Sequence, residues 1–511
     1  MSSKKRKLKK ARGERSFIYY LNPLNLVSKV EAYGYEYSIK NVLITYVIAI
    51  FTAICASLIY QLNIVQIFAL CIFALCLTPK LIVNGFKNLH QQKRFADVNK
   101  YIEKMLYYFK SSKKILVSLT DIQRLFPEGE MSEAINDAIT HIRTATTGND
   151  LTEEGLEIIA KRFPCARIKT LHGFLLSVER VGGDCDTAVE LLLEDRNLWA
   201  DQVIDTQKRK KAVKRNILIS MIFTVTLCLS VIYLPSLVAS NVNLPNIAKE
   251  GLVSWSAVVL IAVLLGIYTK ADGKLCVDWL DSDDIWDEDE ARKQFNKVVN
   301  YDASKEFHES LIWAGVTLII TIVVALIFKS ALILVPGFAL MIFMLNQHTI
   351  GHNLAKAKIM KAIEKSFPSW LMSVSLLLQT ENVRVSIRES YANAPAILKP
   401  AIEDLLAKLD ENPDSETPYN EFLTYFNMPE ITDAMSTLYS LSTGAGGNAE
   451  TEFRSIINRI LKMMDRAEEI KNNDKIAVMG IYVTAPSLIG ALKLIIDMTA
   501  LLFAFFAMTS Y

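Results

Sequence analysis

The sequence predicts an all-α, multi-pass membrane protein with about eight transmembrane helices in four hairpins and two helical bundles in the cytoplasm. Of its 511 residues, 51% are hydrophobic and 22% are charged. The apolar residues lie in long blocks with the charges between them, a segregation that a soluble globular chain does not need. Within the charged segments, apolar residues recur at three- to four-residue spacing, which is typical of amphipathic helices. Alternating β-branched runs are few, so we expect almost no strand.

Composition excludes several classes of protein. The 56 Lys and Arg nearly balance the 54 Asp and Glu, which leaves a net charge of +2. The high apolar content excludes a disordered or collagen-like chain, and seven cysteines in 511 residues exclude a disulfide scaffold. Cys165, Cys185 and Cys276 lie outside the apolar blocks without any metal-binding spacing. We therefore expect reduced cytosolic thiols.

Four pairs of apolar segments predict the hairpins, because a helix needs about 20 mainly apolar residues to cross the hydrocarbon core. The predicted hairpins occupy residues 41–79, 216–269, 310–346 and 476–511. The last pair leaves almost no residues for a turn. A single long segment, kinked at Pro486 or re-entrant, is the alternative there.

Basic residues near the span ends predict the orientation, since cytoplasmic loops are enriched in Lys and Arg. The run 4–12 and the segments 80–94 and 208–215 lie on one side of the membrane if each pair is a hairpin. This predicts a cell (inner or cytoplasmic) membrane protein with both termini in the cytoplasm. The remaining regions are then a basic N-terminal segment, a first bundle, an acidic linker and a second bundle, at 1–40, 80–215, 270–309 and 347–475.

The basic run 4–12 does not resemble a cleaved signal peptide, because it lies far from the first span and few small residues follow it. A topology determinant that also contacts anionic lipid is the favoured interpretation. Nucleic-acid binding is not expected, since no aromatic interleaving or reader motif accompanies the charge.

The order hairpin, polar segment, hairpin occurs twice and predicts an internal duplication. The block 115–121, followed by Pro127, matches the block 383–389, followed by Pro395, with every position displaced by 268 residues. Further on, residues 182–187 match residues 446–451 at a displacement of 264. Both repeats begin and end in the cytoplasm in this topology, so they have the same orientation.

Both pairs of matched blocks have a structural and a functional interpretation. Ser118 and Ser386 are predicted to cap helices, with Asp121 and Glu389 near the positive helix ends and the prolines ending the helices. The Gly-Gly pairs follow one helix and precede another that Asp184 or Asn448 would cap. Tight turns or close helix contacts explain these blocks without any catalytic or binding role, and this structural interpretation is favoured. Docking of a partner protein is the alternative. The candidate positions are Ser118, Asp121, Gly182, Gly183, Asp184, Thr187, Ser386, Glu389, Gly446, Gly447, Asn448 and Thr451.

Motifs for catalysis or cofactor binding are missing from the sequence. It contains no GxxxxGK[ST], HExxH, GxSxG or CxxC string. We therefore predict no catalytic residue, no cofactor and no metal site. His348 and His352 have the only metal-like spacing, and a pair of histidines at the lipid headgroups is favoured over a metal site, because two ligands do not close one.

Charged residues within the apolar blocks are sparse. Lys329, Lys493 and Asp497 lie near predicted turns, so positions at hairpin tips or snorkelling side chains are the favoured interpretation. This sparseness disfavours a polar transport path.

The stretch 278–290 contains eight carboxylates, together with Trp279 and Trp286. A solvated linker or an interfacial helix is favoured, and docking of a basic partner is the alternative.

A hairpin, a helical bundle with a Ser block and a Gly-Gly block, and a second hairpin together resemble the F-domain family of type II secretion and type IV pilus platform proteins. More narrowly, the chain is similar to tight-adherence pilus and archaellum platform proteins. The resemblance covers the chain from about residue 41 onward. The chain differs from single-domain members of the family because it fuses two copies of the domain. It also has Lys113-Lys114 where the family usually has a Gly before the Ser block. The residues that carry the resemblance are Val117, Ser118, Leu119, Asp121, Gly182, Gly183, Thr187, Val385, Ser386, Ile387, Glu389, Gly446, Gly447 and Thr451.

The resemblance implies a non-enzymatic platform that couples a cytoplasmic hexameric secretion ATPase to the insertion or extraction of pilin subunits. Its implied partners are that ATPase, pilin-like subunits and the lipid bilayer, with a second copy of the chain as a further option. ATP hydrolysis would then occur in another chain. The main alternative is a transporter or channel, and the second is a membrane scaffold or receptor without a motor. The predicted ATPase contacts, besides the matched blocks, are Lys208, Arg209, Lys210 and Lys211.

Overall fold

In the computed structural model, eighteen α-helices and no strand are formed by the described residues, in agreement with the predicted all-α fold class. The described residues are 21–144, 150–182, 185–238, 251–276, 279–280, 286–328, 334–378, 381–443, 449–477 and 479–509. The chain divides into two compact units.

The first unit comprises residues 1–100, 200–280 and 472–511. Two of its helices, α3 and α8, continue along the chain beyond these limits. The helices of this unit are α1 (Pro23–Glu31), α2 (Ile39–Ile59), α3 (Ile64–Ser112), α8 (Asp186–Val238), α9 (Gly251–Leu275) and α18 (Gly480–Thr509).

The second unit comprises residues 101–199 and 281–471. It contains the short helices of both predicted bundles and two long helices, α11 and α12. Its helices are α4 (Ile115–Gln123), α5 (Glu130–Thr144), α6 (Leu151–Arg162), α7 (Ala166–Val181), α10 (Glu288–Val299), α11 (Ala303–Phe328), α12 (Leu334–Leu377), α13 (Val383–Ser390), α14 (Lys399–Glu411), α15 (Thr417–Glu421), α16 (Pro429–Thr443) and α17 (Ala449–Ala477).

Seven of the described helices are long and apolar enough to cross a membrane: α2, α3, α8, α9, α11, α12 and α18. They indicate a multi-pass membrane protein. The fourth hairpin is not formed: Gly480–Thr509 are one helix that continues through Pro486, which agrees with the alternative of a single long segment. The helix is continuous at Lys493, where the turn was expected. The Lys493 side chain is bonded to Asp497 and to the Val253 carbonyl oxygen. The cytoplasmic placement of both termini, which rests on the basic residues near the span ends, stays a prediction.

Long helices join apolar spans to polar segments without a break. Helix α3 has 49 residues, α8 has 53 and α12 has 44. The domain borders predicted at residues 79/80, 215/216 and 346/347 therefore fall inside helices. Their apolar and polar parts are continuous because helical hydrogen bonding satisfies the backbone equally well in lipid and in a bundle.

The helix order of the two predicted bundles is the same, as a duplication predicts. Helix α4 begins at Ile115 and α13 begins at Val383, which is 268 residues further on. Helix α7 begins at Ala166 and α16 at Pro429, at a displacement of 263. The copies differ after their Gly-Gly blocks: α8 is one unbroken helix, whereas α17 ends at Ala477 before α18 begins.

Helices α11 and α12 pack against each other at a glycine. A Cβ atom on Gly337 would lie 1.9 Å from Thr321 Cγ2, 2.6 Å from its Oγ1 and 2.8 Å from its Cβ. Rotation of the threonine cannot relieve all three contacts. Small residues of this kind allow close approach of membrane helices.

We expect Gly337→Ala to destabilise the α11–α12 pair by about 1–3 kcal/mol, because the added methyl group overpacks the contact. Gly351→Ala in the same helix is the matched control: a Cβ there meets nothing within 4 Å. It should be neutral or stabilising by up to about 1 kcal/mol. Thermal unfolding of the purified variants in detergent measures both. Equal melting temperatures for the two variants would contradict the close contact.

Candidate docking and coupling sites

The two matched serines do not cap helices, which corrects the prediction. Helix α4 begins with Lys114 at its N-cap, and Ser118 is the fourth residue of the helix and fully buried. The Ser118 hydroxyl donates to the Lys114 carbonyl oxygen at 2.9 Å. In α13, Asn382 is the cap and its side chain accepts from the Val385 amide at 3.0 Å, while Ser386 is buried within the helix. The N-caps of both helices therefore lie four residues before the serines that were predicted to cap them.

As a result, Asp121 and Glu389 do not lie near the positive helix ends. Asp121 is half-buried and Glu389 is exposed, each beyond the first turn of its helix. The two helices end at Gln123 and Ser390, before the prolines that were expected to end them. The serine blocks therefore place one buried hydroxyl in each bundle.

The first Gly-Gly block ends a helix. Gly182 is the C-cap of α7 with φ +81°, a backbone conformation that glycine adopts without strain. Thr187 is half-buried at the start of α8. Gly183, Asp184, Gly446, Gly447 and Asn448 lie outside the described residues, and so does the side chain of Thr451. Partner docking at these blocks stays a prediction.

The basic cluster on α8 has two faces. Lys208, Arg209 and Lys211 are exposed, as predicted, but Lys210 is only 9% exposed. Its ammonium donates to the carbonyl oxygen of Leu275, the last residue of α9, at 2.8 Å and lies 4.1 Å from the centroid of the Trp279 ring. The prediction that Lys210 is available for docking is therefore wrong.

One turn further along α8, Lys214 bonds Asp272 Oδ1 at 2.7 Å. Positions 210 and 214 share one helix face, whereas 208 and 211 face elsewhere. Cations at the C-terminal end of a helix stabilise its unpaired carbonyl groups and its dipole. Lys210 and Lys214 thus hold α8 against the end of α9, and the face with Lys208, Arg209 and Lys211 is exposed.

An ionic cluster that the sequence did not reveal joins the two predicted bundles within the second unit. Arg167, on α7, donates from Nε and Nη2 to both oxygens of Asp195 on α8, at 2.9 and 3.0 Å. Its Nη1 donates to Glu468 Oε1 on α17 at 2.9 Å. The guanidinium carbon lies 4.9 Å from the centroid of the Trp199 ring. One arginine therefore binds groups from both repeats.

The Arg167 cluster is buried. The side chains of Arg167, Asp195 and Glu468 are 15%, 5% and 12% exposed. Burial lowers the pKa of Arg167, but the charges of Asp195 and Glu468 outweigh burial and raise its pKa above the ordinary value. The cavity beside the cluster has a volume of about 40 Å³. Ligand pockets are roughly ten times larger, so this arrangement is a structural junction rather than a small-molecule site.

No motif could have indicated the Arg167 cluster. Arg167 lies 28 residues from Asp195 and 301 residues from Glu468. The pairing depends on how α7, α8 and α17 pack, which local sequence does not encode.

A second buried polar contact lies inside the first bundle. The Tyr101 hydroxyl and His172 Nε2 are 2.9 Å apart, and both side chains are buried. Burial lowers the pKa of His172 to about 3. The imidazole is therefore neutral at physiological pH.

Lys493 and Asp497 do not lie at a turn, which corrects their predicted position. They are one helical turn apart inside α18, and they are 3% and 1% exposed. The Lys493 ammonium bonds Asp497 Oδ1 and the Val253 carbonyl oxygen on α9, the latter at 3.3 Å. Lys329 lies outside the described residues. An ion pair is thus buried among the apolar helices of the first unit.

The two histidines with metal-like spacing contact aromatic rings. His352 stacks on Tyr301 with ring centroids 3.8 Å apart, and His348 meets Phe307 edge-on at 5.8 Å. Across the described ranges of the chain, no group of three His, Cys, Asp or Glu could hold a metal ion. The histidines belong to an aromatic cluster between the start of α11 and the first half of α12.

The acidic stretch has partners within the chain. Glu288, in the first turn of α10, is 3.1 Å from the Lys399 ammonium on α14. Trp279 and Trp286 are buried, at 6% and 8% exposed, although a solvated linker was favoured. Residues 277–278 and 281–285 lie outside the described part of the chain.

We expect Arg167→Met to destabilise the second unit by about 3–5 kcal/mol, because Asp195 and Glu468 would stay buried without their counter-ion. Arg180→Met, in the same helix, is the control. Its pair with Asp150 is 66% and 33% exposed and should contribute less than about 1 kcal/mol. Limited proteolysis and thermal unfolding measure the difference. Equal stability of the two variants would contradict the junction.

Because the folded chain cannot readily accept a proton on His172, the unfolded state binds more protons below about pH 6.5. The contribution of His172 to stability is therefore fully present above that pH and is lost as pH falls towards 3. We expect the melting temperature of His172→Gln to fall less between pH 7 and pH 5 than that of the unmodified chain.

Tyr101→Phe is the control for the His172 experiment. It removes the hydrogen bond but leaves the imidazole buried, so its melting temperature should be lower overall and keep the same slope with pH. An unchanged slope in His172→Gln would show that this histidine does not cause the dependence.

Known proteins do not assign any of these sites. No family model, no curated protein and no solved structure matches this chain. The roles of the Arg167 junction, the basic face of α8 and the ion pair in α18 therefore follow from their geometry alone.

Proposed function

We propose that this chain is a platform protein of the cell (inner or cytoplasmic) membrane in a type IV pilus-like or type II secretion-like filament machine. It couples a cytoplasmic hexameric ATPase to the insertion or extraction of pilin-like subunits and has no enzymatic activity of its own. The observation that most supports this proposal is helix α12. It carries an apolar span in its first half and the buried bundle residues Phe367, Trp370 and Leu371 near its end.

A platform needs a stiff connection between its motor and its membrane segments. At 1.5 Å per residue, the 44 residues of α12 extend roughly 66 Å, about twice the thickness of the hydrocarbon core. A force on the bundle end can therefore reach the apolar end through one helix, whose backbone hydrogen bonding lacks a donor only at Pro368 and near the helix start.

The Arg167 junction supports the same function. Arg167 is held by a bidentate bond to Asp195 within the first repeat, and its bond to Glu468 links the first bundle to the second, so that the two repeats resist separation. A protein moved by a multi-subunit motor needs such cohesion between its docking domains. Charge-assisted, buried contacts provide it more strongly than exposed ion pairs do.

Local backbone geometry agrees with the family resemblance. Lys113 has φ +49°, a left-handed conformation that glycine favours. This is the place before the Ser block where the F-domain family usually has a glycine. The chain therefore keeps the turn while replacing the residue.

A transporter or channel is the second candidate, and the buried Lys493–Asp497 pair is the observation that favours it. Ionisable residues inside membrane segments often mark an ion or substrate path. One pair, bonded to its own helix and to a neighbouring carbonyl group, gives less support than a line of polar groups would.

Affinity purification of the tagged full-length chain from its native membrane, followed by mass spectrometry, tests the proposal. We expect a soluble P-loop ATPase and small single-span pilin-like proteins to be recovered. Recovery of neither, together with solute or ion movement by the reconstituted chain in liposomes, would favour the transporter.

The exposed basic face of α8 is the predicted ATPase contact. We expect the triple variant Lys208→Gln, Arg209→Gln, Lys211→Gln to reduce ATPase recovery at least about tenfold, since each lost charge contact contributes roughly 0.5–1 kcal/mol or more. Lys210 is left intact because it stabilises the end of α9. Raising the salt concentration should weaken the contact of the unmodified chain in the same direction.

A matched control removes three exposed positive charges elsewhere, with Arg124→Gln, Lys161→Gln and Lys169→Gln on the first bundle. This control should recover as much ATPase as the unmodified chain. Equal losses in the two triple variants would mean that net charge, and not the basic face of α8, determines the binding.

A further inference from the structure

One carboxylate oxygen in the apolar part of the first unit has no hydrogen-bond partner among the described residues. It is Oδ2 of Asp497, whose other oxygen is bonded by the Lys493 ammonium. A charged carboxylate has about four lone-pair sites, and leaving half of them empty in an apolar surrounding is costly. The charged form of Asp497 would therefore have a single bonded neighbour, Lys493.

The groups around the Lys493–Asp497 pair come from five elements, α2, α3, α8, α9 and α18. Tyr60, at the end of α2, donates its hydroxyl to the Val225 carbonyl oxygen at 3.4 Å. The Cys228 thiol, on α8, points to the Gly490 carbonyl oxygen at 3.8 Å. Tyr60 and Cys228 are the titratable side chains of α2 and α8 whose charged forms would interact with the Asp497 charge.

Helix α9 contributes only backbone at this place. Its Val253 carbonyl oxygen accepts from the Lys493 ammonium at 3.3 Å. The neighbouring Ser254 hydroxyl is bonded to the Gln66 side chain of α3 at 2.8 Å. Among these groups from α2, α3, α8, α9 and α18, Lys493 alone carries a charge opposite to that of Asp497.

We propose that Asp497 is a reversible proton-binding site within the membrane, with Oδ2 as the atom that takes the proton and Lys493 as the counter-ion of the unprotonated form. A proton from water forms an O–H bond at Oδ2, and the carboxylate changes from −1 to 0. Lys493 keeps its proton and its bond to the Val253 carbonyl oxygen. The charge of the pair therefore changes from 0 to +1.

A proton fits this place better than a metal cation does. Hard cations need several oxygen ligands at once, and Asp497 offers one free oxygen in a fully buried position. A proton needs a single lone pair and no space. The inference does not depend on the proposed platform function, because it rests only on how α18 packs against α2, α8 and α9.

Infrared difference spectroscopy of the full-length chain in lipid nanodiscs tests the site. We expect lowering the pH to produce a carbonyl stretch of a protonated carboxyl group that is missing in Asp497→Asn. In Lys493→Met the same band should appear at a pH about 1–3 units higher, because the counter-ion that favours the charged form is gone.

The double variant Lys493→Leu, Asp497→Leu is the folding control, since replacing both members of a buried pair by apolar residues is often neutral or stabilising. It should remain folded and lack the band. Absence of any Asp497-dependent band over the whole pH range in which the unmodified chain stays folded would overturn the proposal. Displacement of the band by sodium ions at constant pH would also overturn it, since the site would then bind a metal cation.

Discussion

Backbone amide and carbonyl groups that lie among lipid chains have no water to bond, and their hydrogen bonds must be made within the same segment. This constraint accounts for the long helices of the chain. Residues 64–112 and 334–377 each pass from an apolar to a polar stretch without a turn, because any turn would expose unpaired backbone groups near the membrane. It also accounts for α18, where a turn at Lys493 would have left such groups unpaired.

Charges within this framework are buried only where a partner meets them. Arg167 is surrounded by two carboxylates and an indole ring, and Lys210 by a helix end and another indole ring. Lys493 has both a carboxylate and a carbonyl oxygen. Asp497 differs from these three, because half of its carboxyl group is without a bond. Arg167, Lys210 and Lys493 therefore have structural roles, whereas Asp497 has an oxygen that can take up a proton, as proposed above.

Periodicity and apolar length predicted most of the fold. The all-α class, six of the seven long apolar helices and the matched starts of α4 and α13 could be read from the sequence, since these patterns are local. Exact helix starts could not: Asn382 and Ser386 are both good caps by residue type, and only the backbone decides between them. The turn expected near Lys493 was also wrong, because two adjoining apolar segments look the same whether they form a hairpin or one helix.

The candidate sites were harder to predict because they depend on packing. Lys208 and Lys210 are neighbours in a basic run, yet one is exposed and the other is covered by Trp279. Arg167 stands in no motif, and its partners lie in α8 and α17. Such contacts become visible only when the helices that carry them are placed side by side.

Helices α3, α12 and α18 each contain an internal proline, and in α3 and α12 these residues determine where the helix of each repeat can bend. A proline removes one backbone hydrogen bond and crowds the preceding turn, so bending concentrates there. In α3, Pro79 lies roughly 22 Å from the first residue, at the end of the apolar stretch; in α12, Pro368 lies roughly 51 Å along, inside the bundle core. We therefore expect α3 of the first repeat to bend at the end of its apolar stretch. Helix α12 of the second repeat should instead bend inside the bundle, so that its apolar part tilts as one piece. The same force applied to each bundle should therefore displace the apolar part of α3 and that of α12 by different amounts. The two repeats would then differ in stiffness.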